Sequence, residues 1–331
     1  MFSVVLGAAI AFMVTVALGS KFIEFLQTRK FGQFVREEGP QTHLIKAGTP
    51  TMGGVVMLTG LLAALLVVAR PNVATFATLL LVSAVAGIGL YDDWQKISKR
   101  RSEGLSARYK FLLLTLAVVL ADVLALRYVG VTQSVVVPAL DRNVVLGSGL
   151  VGIALFSIFL LFVIAGATNA VNLTDGLDGL AAGAGAIALL AYTAIAFLER
   201  QYDVAIICGA MVGAIIGFLW YNAHPADIFM GDTGSLAIGG LLAAAAILTK
   251  TELLLPIVGG LFVLEALSVM IQVIVFKITG RRVFKMAPIH HHFEFLGWEE
   301  NKVVVRFWIA QAAFASLGFF LYYYFLYNAA G

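Results

Sequence analysis

Residues 149–179 read GLVGIALFSIFLLFVIAGATNAVNLTDGLDG. The first twenty, Gly149 to Thr168, carry no charge. A helix rises about 1.5 Å per residue, so about 20 residues cross the ~30 Å hydrocarbon layer of a bilayer. Apolar on every side, this run has no polar stripe to turn toward water. Asn169, Asn172, Thr174, Asp175 and Asp178 follow it within ten residues, with no Lys or Arg among them. The stretch therefore predicts a membrane span that ends in an acidic, cation-free loop.

The same alternation fills the rest of the chain. Of 331 residues, 61% are hydrophobic and 12% are Asp, Glu, Lys or Arg, against roughly 25% charged in an ordinary soluble domain. Mean hydropathy is +0.95. Such a chain cannot cover its surface with polar groups, which excludes a soluble globule, a disordered chain and a coiled coil. Cys208 is the single cysteine, so no intramolecular disulfide can form. About ten spans are expected, near 3–22, 52–70, 73–91, 111–129, 149–168, 180–198, 203–221, 235–250, 253–276 and 303–325. The β-branched stretch 130–148 predicts a short outer β-hairpin, and 277–302 a polar segment with a short interfacial helix. With no linker, repeat or low-complexity tract, residues 1–331 read as one polytopic, all-α transmembrane domain.

The first run, Phe2 to Ser20, has its cations after it (Lys21, Arg29, Lys30). A secretory signal has the opposite order, so the run reads as a retained span with the N-terminus outside. Threading ten spans from there puts 17 of the 22 Lys and Arg on the inner side and the C-terminus outside, in keeping with the positive-inside rule. The net charge of +3 then belongs to cytoplasmic loops and implies no nucleic-acid partner.

Every unusual polar cluster falls on that inner side: Lys46 to Gly54, Tyr91-Asp92-Asp93-Trp94, Asn169 to Gly179, Asn222 to Ser235 and Pro288 to Glu294. Taken alone, Asn-Leu-Thr-Asp-Gly fits a turn as well as it fits a ligand set. Together, Asp92, Asp93, Asp175, Asp178 and Asp232 put five carboxylates at the inner ends of apolar helices. Carboxylates in such surroundings need a partner or a cation, and oxygen ligands favour Mg²⁺ or Mn²⁺ over Zn²⁺. Mg²⁺ commonly shares its ligation with substrate phosphate, so a phosphate-bearing substrate is expected. Two basic loops, Lys96 to Lys110 and Lys277 to Lys285, fit either anionic lipid or a diphosphate. No P-loop motif occurs. Consecutive His290, His291 and His292 cannot share one helical face, which disfavours zinc; contact with phosphate or sugar fits better, with one of the three structural. His43 and His224 read as local hydrogen-bonding residues and Cys208 as packing. Glu265 lies deep in the ninth run, with no role legible.

Tyr-Asp-Asp (91–93), Asn-Leu-Thr-Asp-Gly-Leu-Asp-Gly (172–179), Phe-Met-Gly-Asp-Thr-Gly-Ser (229–235) and Met-Ala-Pro-Ile-His-His-His-Phe-Glu (286–294) are similar to motifs of the polyprenyl-phosphate N-acetylhexosamine-1-phosphate transferases. The last of these, with Gly-Thr-Pro-Thr-Met-Gly-Gly (48–54), resembles the bacterial phospho-N-acetylmuramoyl-pentapeptide transferases, the MraY family. The likeness covers residues 21–306. It implies ten transmembrane helices, a homodimer in the bacterial inner membrane and an active site on the cytoplasmic face. The implied reaction passes phospho-MurNAc-pentapeptide from UDP-MurNAc-pentapeptide to undecaprenyl phosphate, a membrane lipid, with Mg²⁺ (or Mn²⁺), giving lipid I and UMP.

By the same resemblance, Asp232 holds the metal, and Asp92 and Asp93 lie nearest the reacting phosphate, with Asp92 as base. Asn172, Asp175, Asp178, Asn222, Phe229 and Gln272 surround the nucleotide, Phe229 stacking on uracil. Lys46, Thr51 and His290 bind sugar or phosphate, His290 joining the catalytic group and His291 and His292 touching substrate. Many members carry Lys where Arg108 stands. UDP-GlcNAc as donor is disfavoured by the 288–294 motif. A secondary transporter is disfavoured because the acids lie at one face rather than the midplane.

Overall fold

The computed structural model describes residues 1–29, 48–99, 104–124, 129–138 and 142–327. The chain is an all-α integral membrane protein with one small hairpin. The helices are α1 (Phe2–Thr28), α2 (Gly54–Val68), α3 (Val73–Ser98), α4 (Ala107–Leu124), α5 (Gly149–Thr174), α6 (Leu180–Leu198), α7 (Tyr202–Asn222), α8 (Gly231–Leu248), α9 (Leu255–Val258), α10 (Gly260–Thr279), α11 (Ile289–Glu294) and α12 (Glu300–Tyr322).

Over the described residues, each expected span except the ninth falls on a single helix. Among the described residues, eight helices are long and apolar enough to cross a membrane: α1, α3, α5, α6, α7, α8, α10 and α12 with the π-turn that extends it. The other two have physical reasons to fall short. α2 has 15 residues, about 22 Å at a helical rise, because Met52 turns out of the helix with a φ of +76° and Gly53 enters a backbone pairing described below. α4 carries three charged residues, Arg108, Lys110 and Asp122, within its 18. The ninth expected span is two helices, broken at Gly259 between α9 and α10. The short helix expected in 277–302 is α11.

α6, α7 and α8 form the buried centre. Glycine explains how α1 reaches α7: a Cβ on Gly213 would lie 2.0 Å from the Ala8 carbonyl oxygen, and one on Gly209 2.7 Å from Val4. With lipid on all sides, close backbone approach through small residues replaces the hydrophobic drive of water-soluble packing. Tyr221 Oη donates to the Val16 carbonyl at 2.6 Å and closes the far end of the same contact.

The hairpin pairs β1 (Ser134–Val137) with β2 (Arg142–Val145) antiparallel, Val135 opposite Val144. Lys250, just past α8, donates to the carbonyls of Thr132 (2.6 Å) and Ser134 (2.8 Å). The hairpin therefore sits at the C-terminal end of α8. The acidic motifs gather at the opposite end, where α3, α5 and α7 finish and α6 and α8 begin.

Gly213→Ala forces α1 and α7 apart and should lower the stability of the detergent-solubilised protein by roughly 1–3 kcal/mol, the usual cost of overpacking. Gly166→Ala, where a Cβ meets nothing within 4 Å, should leave the melting temperature unchanged or raised. Thermal unfolding of the two variants side by side checks the contact.

Candidate active site

The site begins with a helix start that has no cap of its own. Met230, which precedes α8, makes no side-chain cap bond. Asp93, from the last turns of α3, supplies it: Oδ1 accepts from Asp232 N (3.1 Å), and Oδ2 accepts from Thr233 N (3.0 Å) and Thr233 Oγ1 (2.8 Å). A carboxylate at a helix N-terminus satisfies orphan N–H groups and meets the positive end of the helix dipole. Gly231 makes the turn possible. Its φ is +72°, and a Cβ there would lie 2.5 Å from Asp93 Oδ2 and 2.9 Å from Thr51 Oγ1. Residues 50–54 brace this turn: Phe229 N donates to Pro50 O (2.8 Å), Gly53 N to Phe229 O (2.9 Å) and Gly54 N to Met230 O (2.9 Å). That brace is the pairing that shortens α2.

Capping α8 brings Asp232 to Asp92 and Asp93. The three residues, all buried, each offer a carboxylate oxygen within 4.8 Å of the others. Lys96 lies among them, one helical turn from both acids of α3, with Nζ 2.7 Å from Asp92 Oδ2, 3.8 Å from Asp93 Oδ1 and 3.0 Å from Asp232 Oδ1. Lys110, in the first turn of α4, pairs with Asp232 Oδ2. Asp92 Oδ1 accepts from Leu105 N at 2.8 Å. Among the described residues this group contains carboxylates alone, with no histidine or cysteine, and hard oxygen donors at this spacing suit a divalent cation of the Mg²⁺ type. In the sequence both lysines belong to a basic loop that fits anionic lipid or a diphosphate, and neither is singled out within it. Lys96 alone adds an i+3/i+4 spacing from the Asp pair. Arg108 is exposed, and the cation of α4 that reaches Asp232 is Lys110.

The loop after α5 closes the next side. Asn172 Nδ2 donates to Ser235 Oγ (2.9 Å). Asn222, buried, fastens two loops, accepting from Gly179 N (3.1 Å) and donating to Ile228 O (2.9 Å). Asp178 Oδ2 meets His224 Nδ1 (2.9 Å) and accepts from Ala226 N (3.1 Å), while Asp178 N donates to Glu300 Oε1 (2.9 Å). Asp178, His224 and Glu300 form a second group with metal-ligand spacing; Glu300 carries no signal in the sequence. Asp175 feels both halves of the site. Burial, reinforced by the Asp232 and Asp93 carboxylates, pushes its carboxyl up to about 8.

The remaining expected site residues divide. Thr51 is buried beside Gly231, and Phe229 is half-buried. Gln272 spends its amide on the chain itself: Oε1 accepts from Val283 N and Phe284 N (3.0 Å each), and Nε2 donates to Phe284 O (3.1 Å). His290 is fully buried. His291 Nδ1 lies 2.7 Å from Glu294 Oε2, and His292 Nδ1 accepts from Lys285 N (3.1 Å). Lys46 and His43 lie outside the described residues.

A helical membrane protein that gathers carboxylates, lysines and glycine turns at one end of its bundle has the makings of a phosphoryl-transfer site. The sequence model of Glycosyl transferase family 4 matches residues 75–250, which contain all five aspartates. The phospho-N-acetylmuramoyl-pentapeptide-transferase signature 1 matches residues 46–58, a stretch that includes the brace at 50–54. Curated proteins named phospho-N-acetylmuramoyl-pentapeptide-transferase align along nearly the whole chain. The one from Rubrobacter xylanophilus is 80% identical over 99% of this chain and 100% of its own length. Those from Geobacillus kaustophilus and Bacillus anthracis are 49% and 47% identical, over 96% and 95% of this chain and 98% and 96% of their own. The chain belongs to the phospho-N-acetylmuramoyl-pentapeptide transferase family.

Asp175 gives a pH signature. Its carboxyl titrates near 3.8 ordinarily and near 8 in the fold, so between these values the folded state holds a proton the unfolded state has lost. Stability falls as pH rises through that window. Without added cation or nucleotide, the wild type should lose thermal stability between pH 5.5 and 8.5. Asp175→Asn, which cannot ionise, should lose measurably less. Melting curves at the two pH values check the sign.

Proposed function

We infer that this chain transfers phospho-MurNAc-pentapeptide from UDP-MurNAc-pentapeptide to undecaprenyl phosphate, giving lipid I and UMP, the first membrane step of peptidoglycan synthesis. The observation that carries the reading is the assembly of Asp92, Asp93 and Asp232 with Lys96 and Lys110 at one end of a membrane-spanning bundle. We place this end at the cytoplasmic face of the bacterial inner membrane, because the loops on its side carry most of the Lys and Arg. The working unit is a homodimer, as the family likeness implies.

The proposed chemistry is direct displacement. An oxygen of the lipid phosphate forms a bond to the sugar-linked phosphorus of the diphosphate. The bond from that phosphorus to the bridging oxygen breaks, and UMP leaves with the electron pair. Asp232 is the residue to hold Mg²⁺, which when bound neutralises charge on the diphosphate. Lys96 and Lys110 lie beside Asp232 and offset the charge of two anionic reactants. Asp93 fixes the start of α8 and so the position of Asp232. The turn holding Asp175 and Asp178, with the half-buried Phe229 ring, supplies the nucleotide side.

Asp92 has less reason to act as a base than its place suggests. A phosphate monoester loses its second proton near pH ~6, so the acceptor is largely a dianion at neutral pH. Both Asp92 oxygens are engaged, one by Leu105 N and one by Lys96. Its role is to orient Lys96.

Purified chain with undecaprenyl phosphate, UDP-MurNAc-pentapeptide and Mg²⁺ should release UMP only when lipid is present, and UDP-GlcNAc should not replace the donor. Asp232→Ala should lower the rate by on the order of 10²–10³ or more, the scale of losing a main electrostatic stabiliser. Asp92→Asn should lower the rate evenly across pH. Loss of the acidic limb of the pH–rate profile in that variant would restore the base role, and lipid-independent UMP release would sink the direct route.

A further inference from the structure

Glu265 and His290 are 25 residues apart and both are fully buried. Glu265 sits in the second turn of α10, and His290 is the second residue of α11. His290 Nδ1 lies 3.1 Å from Glu265 Oε2. Among the described residues, none of the four side-chain polar atoms of the pair has an aligned hydrogen-bond partner, so the 3.1 Å approach is a contact at ion-pair distance rather than a formed hydrogen bond. A buried carboxylate and a buried imidazole are both costly without a partner. The contact between them is the one compensation within reach of either.

The opposite ring nitrogen has a specific neighbour. A Cβ built on Gly176 would lie 2.3 Å from His290 Nε2 and 2.9 Å from Cε1, so the ring rests on the bare backbone of the turn between Asp175 and Asp178. His291 packs against its other side, ring centroids 4.1 Å apart. No side chain fits at 176 with the ring in place. His290 thus joins α10, α11 and the acidic turn at one point, although it is closed off from solvent.

We propose that Glu265 is a positioning residue for the transfer reaction. Its carboxylate takes the Nδ1–H of His290, which fixes the tautomer, presents Nε2 to the Asp175–Gly176 turn and holds that turn against the metal-binding carboxylates. His290 then acts through the turn, and Glu265 acts through His290. The assignment rests on the transferase reading given above for the meaning of the rate. Its structural half, the tautomer, does not.

The test uses full-length protein in detergent, with Glu265→Ala, Glu265→Gln and Gly176→Ala. The readouts are the ¹⁵N spectrum of histidine-labelled protein, with His290 assigned by difference from His290→Asn, and lipid-dependent UMP release. Wild type should show Nδ1 protonated and Nε2 bare. Glu265→Ala should lose that pattern and lower kcat by roughly 10–100-fold, the range known for partners that orient metal-ligating histidines. Glu265→Gln keeps an acceptor for Nδ1–H; it should retain the wild-type tautomer and recover to within roughly fivefold, since a neutral acceptor is weaker than a charged one. Gly176→Ala should keep the glutamate but lose kcat, because the ring must leave the turn.

A wild-type spectrum with Nε2 protonated overturns the proposal whatever the rates. So does Glu265→Gln as damaged as Glu265→Ala, or Glu265→Ala with native kcat. If wild type shows the expected tautomer but releases no UMP with lipid, the transferase reading fails and the positioning assignment fails with it, while the pairing of the two side chains stands.

Discussion

Asp93 takes the first N–H groups of α8, and most of the site follows from that bond. A helix beginning inside a membrane protein leaves N–H groups that water cannot reach, and each unmet donor is costly there. By satisfying them from α3, Asp93 locks two spans end to end and delivers Asp232 beside Asp92. That places several negative groups in one buried space, and the same space draws in Lys96 and Lys110. Structural need and chemical use thus share one residue. The cap that lets α8 start also gathers the three carboxylates that we propose hold a divalent cation beside the diphosphate.

Around this centre the loops are tied to one another rather than left as loose connectors. Asn222 bolts the turn at Gly179 to Ile228, Asp178 gathers His224 and Ala226, and Gln272 holds the backbone at 283–284. Groups that look from the sequence like ligand contacts are therefore largely engaged within the chain. A rigid frame of this kind suits a reaction between two large anionic reactants, because catalysis then depends on positioning and fixed electrostatics more than on mobile acid–base groups.

The spans were legible because a charge-free run of about 20 residues has few other meanings. The five aspartates were legible because an acidic, cation-free loop at the end of such a run is unusual. α2 was less so: its shortness comes from backbone pairing with Phe229 and Met230, a long-range contact that leaves no periodic mark. Lys110 looked like any juxtamembrane cation, and Arg108 two residues away drew attention instead. Glu265 carried no reading at all. Its partner lies on another helix across a polar segment, and nothing local to either residue announces the pair.

We propose that the carboxylates of residues 92, 93 and 232 form one seat for a divalent cation. Anomalous diffraction from Mn²⁺-soaked crystals at the manganese edge distinguishes this seat from any other. It should show a peak at about 2.1 Å from an Asp232 oxygen, the distance for a small hard cation. A peak at Asp178, His224 and Glu300 instead, with none at Asp232, would rule that seat out.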